Sequence, residues 1–297
     1  MADVILRAAL LARGYTDNDL ERMRRSGELS RLRRGAYAWP GQELSPEDRH
    51  RQLVTATLRQ LRSPATVSHV SAAVLHGLPA WSEQLVRVHL TRPREGGGKT
   101  RSLVRIHSGD LEPDEIVLLH GVATTSLART VGDLGRLLPL DQATAAGDQA
   151  LRRGLDPAEL DAVLQGGRGC PRIARALVMA RLLDGRSESA GESVSRVRMH
   201  EGGLPRPEPQ LVVHDRAGRF VARADFGWPK QRVLGEFDGR VKYGRLLRPG
   251  QRVEEVVYRE KLREDALRDL DWRVVRWTWA DLYPGDVVVA RLSRVLT

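Results

Sequence analysis

The stretch FVARADFGWPKQRVLGEFDG, residues 220–239, decides how the last third of the chain folds. Ala222, Ala224 and Phe226 alternate with polar neighbours, and so do Val233, Gly235 and Phe237. That period of two is the signature of a strand with unlike faces. Trp228-Pro229-Lys230-Gln231 breaks the alternation with a proline, which has no N–H to give a ladder, so the two runs read as a hairpin turning there. Side chains two apart share a face, so Asp225 points with Val221 and Arg223, and Glu236 with Asp238. Closing the hairpin brings Asp225 close to Glu236 and gathers three carboxylates on one face.

Outward from the hairpin, Ser187–Arg196 (SESAGESVSR) reads as an N-capped helix running through Met199, and it carries a fourth acid, Glu192. LPRPEPQLVVHD follows as a strand after a proline-rich entry, with a turn over Asp215–Gly218. Beyond the hairpin come a helix from about Glu254 to Leu270, a strand over Trp272–Trp279, and a last helix holding Val287–Leu296. Helix, three strands, helix, strand, helix make an α/β domain over residues 184–297. Four tryptophans, Trp228, Trp272, Trp277 and Trp279, surround this sheet and read chiefly as core, with stacking on bases the alternative.

Clustered carboxylates repel unless something neutralises them. A hard divalent cation does so, and Mg²⁺ (or Mn²⁺) takes a few carboxylates together with water and phosphate oxygens. A metal held there would polarise a phosphate and supply hydroxide, with a nearby lysine positioning the water. The other reading is an amphipathic hairpin whose acids face solvent, and spacing alone does not separate the two.

The chain has 297 residues, enough for two or three domains, and a formal charge of +10 from 48 basic and 38 acidic side chains. Such an excess suits a polyanionic partner, with DNA the first expectation. Only four basic residues are lysines, Lys99, Lys230, Lys242 and Lys261. Arginine does not readily deprotonate and is not a compact point charge, so a surviving lysine is a candidate for what arginine cannot do. One cysteine, no long apolar run and no signal-peptide pattern predict a cytoplasmic protein without a membrane span.

At the N-terminus a first helix is predicted over Val4–Arg13, ended by Gly14, and a second capped by Thr16 with Asp19 completing a capping box. Arg22, Arg24 and Arg25 ring its polar side. LSRLRRGAYAW, residues 29–39, follows as a strand pair around Arg33-Arg34-Gly35. Two helices and a basic hairpin predict a winged helix-turn-helix over residues 1–62. Arg31, Arg33 and Arg34 would meet phosphates, and a solvated basic face is the plainer reading.

Residues 63–183 read as an α+β domain with a helix over Ser68–His76 and strands at Val86–Leu90 and Val104–His107. From Leu140 to Leu183 the pattern is helical, either the end of that domain or a connector. His69, His76, His89 and His107 fit no zinc spacing and read as packing or hydrogen-bonding residues. Arg129 and Asp133 stand four apart on a helix as an ion pair. The fold expected is therefore α/β multidomain: winged helix, α+β middle, and C-terminal α/β domain.

Two resemblances sharpen this. The run G-x-L-x-R-x-R-R-G-x-Y from Gly27 to Tyr37 resembles the N-terminal winged helix of AbiEi-family antitoxins, and the strings HVSAAVLHG and TSLARTVGDL resemble the middle of actinobacterial AbiEi-like proteins. That likeness implies DNA binding, often at the protein's own promoter, and a toxin partner. The last 110 or so residues resemble Vsr-like nucleases of the PD-(D/E)xK superfamily, with a restriction-endonuclease-like fold. Glu192 in GESVSR, Asp225 in ARADF, Glu236 and Asp238 in GEFDG, and Glu260, Lys261, Arg263 and Leu267 carry it. It implies catalysis by Glu192, Asp225, Glu236, Asp238 and a lysine, with metal on Asp225, Glu236 and Asp238. The sequence departs from that pattern: Asp238 stands where the lysine belongs, and the histidine after E-x-D-G is absent. Lys242 is the first replacement candidate and Lys261 the second. Two functions are thus expected, a Mg²⁺-dependent DNA phosphodiesterase or an antitoxin-like repressor whose nuclease domain has lost catalysis.

Overall fold

A computed structural model describes residues 4–41, 43–93, 99–239, 253–283 and 286–296. The chain forms two compact units, Met1–Leu138 with Arg153–Val178, and Pro139–Arg152 with Met179–Thr297.

The first unit opens with β1 (Val4–Leu6), α1 (Arg7–Ala12), α2 (Asp17–Ser26), β2 (Ser30–Arg33) and β3 (Ala36–Ala38). The helix expected from Val4 begins only at Arg7. Val4, Ile5 and Leu6 instead pair antiparallel with Ala38, Tyr37 and Ala36, closing a three-stranded sheet of order β1-β3-β2. Two β-branched residues in the triplet suit a strand, and Val4 is buried with Ala36 and Ala56. The capping box is present: Thr16 Oγ1 accepts the Asp19 N–H, and Asp19 accepts the Thr16 N–H. Leu20 and Met23 of α2 bury against Leu10 and Leu29. Gly35 turns the hairpin at φ +75°, a conformation side chains disfavour. Helix α3 (Pro46–Leu58), capped by Ser45 on the Asp48 N–H, packs against β1 and β2.

A six-stranded sheet follows, built from β4 (Thr66–Val67), β5 (Val88–Arg92), β6 (Lys99–Arg101), β7 (Val104–Ser108), β8 (Ile116–Leu119) and β9 (Val122–Thr125) in the order β6-β7-β5-β4-β9-β8. β5 and β7 run parallel, as do β4 and β9. Helices α4 (His69–His76) and α5 (Leu127–Leu137) accompany it.

Helix α6 (Leu140–Arg152) belongs to the second unit, and α7 (Pro157–Gly166) to the first. Residues of α8 (Ile173–Leu182) divide between the two. The second unit continues with α9 (Ala190–Glu201), β10 (Glu208–His214), β11 (Phe220–Trp228), β12 (Val233–Asp238), α10 (Val253–Asp269), β13 (Arg273–Thr278), α11 (Trp279–Leu282) and α12 (Asp286–Leu296). β10, β11 and β12 form an antiparallel meander, and β13 joins β12 in parallel after the α10 crossover. Leu267 of α10 packs on Val213, Ala222, Ala224 and Leu234. Trp277 stacks on Phe226 and donates from Nε1 to Ser195 Oγ of α9 at 2.8 Å. Trp277 and Trp228 are buried, as expected of core residues. Gly191 lets α9 approach β12 closely: a Cβ there would lie 1.9 Å from the Phe237 ring. Arg196 of α9 donates to Asp148 of α6 at 2.6 Å, both buried, which ties α6 into this unit.

Candidate nucleic-acid interface

The two helices and the hairpin differ in charge balance. On α2 the three arginines pair with acids of the same helix: Arg22 with Asp19 at 2.8 Å, and Arg24 and Arg25 both with Glu21, at 2.7 and 3.0 Å. Hydrogen bonds from Arg24 and Arg25 hold the Glu21 carboxyl down at about 2. Residues 29–39 contain Arg31, Arg33 and Arg34 and no acid. The net attraction for phosphate therefore sits on the hairpin. Arg31 and Arg34 are exposed there. Arg33 departs from the expected phosphate role: it is half-buried, its Nη1 donates to Thr57 Oγ1 of α3 at 2.6 Å, and burial lowers its pKa. It fixes the hairpin to α3, as does Gln60, which donates to the Arg34 carbonyl at 3.0 Å. Arg22 and Arg25 remain more than two-thirds exposed despite their partners, so both can exchange an acid for a phosphate.

In the second unit the acids gather at one end of the sheet but do different work. The β11–β12 register runs from Trp228–Val233 to Phe226–Gly235, which sets Asp225 across from Glu236. At that point the Asp225 carboxylate accepts the Phe237 N–H at 2.8 Å. Burial, reinforced by Glu192, Glu236 and Glu188, pushes the Asp225 carboxyl up to about 6. Glu192 is buried, and both its oxygens are occupied: Oε1 accepts from Ser189 Oγ, and Oε2 from the Glu188 N–H and Gln210. Glu236 accepts both arms of Arg263, at 2.7 and 3.1 Å, and Arg276 at 2.8 Å. Burial alone would raise its pKa, but the two guanidinium groups outweigh it and hold the carboxyl below its ordinary value. Arg263 and Arg276 also bind Glu260, and Arg276 reaches Glu264, so the network is closed.

Asp238 is exposed at the end of β12, and Lys261 is exposed on α10 without an ion pair to the described carboxylates. Lys242 lies outside the described residues. Among the described residues no group of three or more histidine, cysteine, aspartate or glutamate side chains is placed to hold a metal ion. Of the three acids expected to hold a metal, Glu236 accepts three donors from Arg263 and Arg276, while Asp225 accepts the Phe237 N–H. Sequence reasoning missed Arg263 and Arg276 as the partners of Glu236. The available signal was their position, Arg263 in the helical string and Arg276 in the strand beside β12.

Arg129 and Asp133 form the expected ion pair at 3.2 Å. His69, His89 and His107 are buried or half-buried and contact one another, as read for packing residues. No helix among the described residues is long and apolar enough to cross a membrane.

A family profile described as a transcriptional regulator, AbiEi antitoxin, matches residues 2–40. Two relatives from Mycobacterium tuberculosis, the uncharacterized protein MT2308 of strain CDC 1551 / Oshkosh and the uncharacterized protein Rv2248 of strain ATCC 25618 / H37Rv, are each 30% identical over 229 residues. The alignments cover 76% of this chain and 79% of each relative. The crystal structure of the RV2827C protein from Mycobacterium tuberculosis is similar with a TM-score of 0.40 and 15% identity, over 71% of this chain and 83% of that one.

Proposed function

The chain belongs to the family of the Mycobacterium tuberculosis proteins MT2308 and Rv2248, and from that footing we propose that it is a DNA-binding transcriptional regulator of the antitoxin type. The observation that carries this reading is the coincidence of the regulator match over residues 2–40 with a hairpin bearing exposed Arg31 and Arg34 and no acid. Helix α2 would lie along the major groove, with Arg22 and Arg25 turning from their acids to phosphates, and the hairpin would rest on the adjacent backbone. Arg33 would act indirectly, by holding the hairpin against α3.

In this reading the C-terminal α/β unit serves as a folded platform without hydrolytic activity. The occupation of Glu236 by Arg263 and Arg276 supports that assignment over metal-dependent cleavage. A toxin partner is part of the proposal, on the strength of the antitoxin match alone.

Gel-shift titration with DNA from upstream of the protein's own coding region, against unrelated DNA of equal length, tests it. Tighter binding to the upstream fragment, weakened in Arg31→Ala/Arg34→Ala, is expected. Cleavage of either DNA in Mg²⁺ or Mn²⁺, abolished by Asp225→Ala, would replace the regulator with the nuclease.

A further inference from the structure

Strand β8 is an edge of the six-stranded sheet, and among the described residues β9 is its only strand neighbour. It reads Ile-Val-Leu-Leu, with no charge, no proline and no bulge, the devices that keep an edge strand from pairing. Leu118 is 75% exposed and Ile116 37%, two large apolar side chains two positions apart and so on one face.

The hairpin fixes which backbone groups of β8 are open. It turns through His120 and Gly121, both at positive φ (51° and 77°), as a two-residue hairpin loop requires. Leu119 faces Val122 across that turn, and the Ser126 N–H donates to the Glu115 carbonyl at 2.7 Å. Ladder bonds alternate along an antiparallel strand. Glu115, Val117 and Leu119 therefore turn their N–H and C=O groups toward β9, and Ile116, Leu118 and His120 turn theirs away. The Ile116 N–H is taken up by the Pro113 carbonyl. The Ile116 carbonyl, both groups of Leu118 and the His120 N–H meet no backbone partner among the described residues.

We propose that β8 pairs antiparallel with β8 of a second copy of this chain, about a twofold axis at Leu118, joining the two sheets edge to edge. The open groups set the register. Leu118 exchanges both its backbone bonds with Leu118 of the second copy, and each His120 N–H meets an Ile116 carbonyl. A twofold contact has to be self-complementary, and this one is: Leu118 lies beside Leu118, Val117 opposite Leu119, and Ile116 opposite His120, so no like charges are opposed. The acids before the strand, Glu112, Asp114 and Glu115, lie at the far end from the same acids of the second copy, at or beyond its turn. A foreign strand would find the same backbone groups, but the match of an uncharged, wholly apolar strand to itself favours a second copy. One short strand per copy is a small contact, and each chain carries +10, so the dimer is expected to form in the micromolar range.

The test is sedimentation equilibrium of the full-length, nucleic-acid-free protein, loaded from low to several hundred micromolar in salt that screens the net charge. The mass is expected to rise from that of one chain towards that of two. Leu118→Lys and Leu118→Glu change a side chain already in solvent, and each should weaken association by about tenfold or more, because the axis sets like charges opposite one another. Mixed in equal amounts, the two variants should associate more tightly than either does alone, since lysine then meets glutamate. Phe220→Lys, at an exposed apolar position outside β8, should associate as the wild type does. A single-chain mass at every loading, unchanged association in Leu118→Lys, a mixture no tighter than its components, or an equal loss in Phe220→Lys would overturn the proposal.

Discussion

Arg263 forks onto both oxygens of Glu236, at 2.7 and 3.1 Å, and Arg276 adds a third contact at 2.8 Å. A residue that the sequence offers as a metal ligand is thereby the hub of an ion network joining α10, β12 and β13. The pairs are less than half exposed, so removing one arm should cost more than a surface bridge and less than a fully buried one. Arg263→Gln is expected to lower stability by about 1–2 kcal/mol in urea unfolding. The pH dependence has a definite sign. Glu236 has a folded pKa below its ordinary value of 4.5, so its contribution is present above about pH 4.5 and fades as pH falls through the lower folded value. The gap between wild type and Arg263→Gln should therefore narrow below pH 4.

Asp225 behaves oppositely. Its carboxyl is pushed up to about 6 from 3.8, so the stability linked to its proton is present below about pH 3.8 and lost as pH rises through about 6. Asp225→Asn keeps an acceptor for the Phe237 N–H and removes the repelling charge. It should raise the melting temperature at pH 7.5, by a gain of about 1 kcal/mol after discounting for partial exposure. At pH 4 the gain should vanish. A loss of stability at pH 7.5 would show that the charge is compensated by something else.

Much of the second unit was legible in its sequence because strand alternation and a proline turn are local signals. The hairpin over residues 220–239 and its facing of Asp225 to Glu236 followed from them. What neutralises those acids was not legible. Arg276 reaches Glu236 across a parallel pair 40 residues apart, and no local pattern encodes a crossover's register. The same holds for Leu140–Arg152, whose helical period was plain while its membership of the second unit depends on Asp148 meeting Arg196, 48 residues on. At the N-terminus the capping box was readable, and the short strand Val4–Leu6 was not, because three apolar residues before a helix carry either reading.

The Arg196–Asp148 pair is the most buried ion pair among those described, at 8% and 1% exposure of the side chains. Arg196→Ala leaves the Asp148 carboxylate in a dry site and also strips donors from the Leu182 carbonyl and Ser187 Oγ. A loss of about 3–5 kcal/mol is expected, read by chemical denaturation of the second unit's tryptophan signal.

Thr16→Ala removes the acceptor for the Asp19 N–H at the start of α2. It should destabilise the N-terminal region by about 1 kcal/mol, measured by hydrogen exchange of α2 amides, while Asp19 keeps its bond to the residue-16 N–H.

The central claim is that the hairpin arginines carry DNA binding, and the salt dependence of affinity for the upstream duplex tests it most directly. Each phosphate contact contributes about 0.9 to the slope of log affinity against log salt. Arg31→Ala/Arg34→Ala should reduce that slope by about two and weaken binding on all sequences alike. A slope identical to wild type in a folded double variant, or no salt-dependent binding by the wild-type chain, would contradict the account.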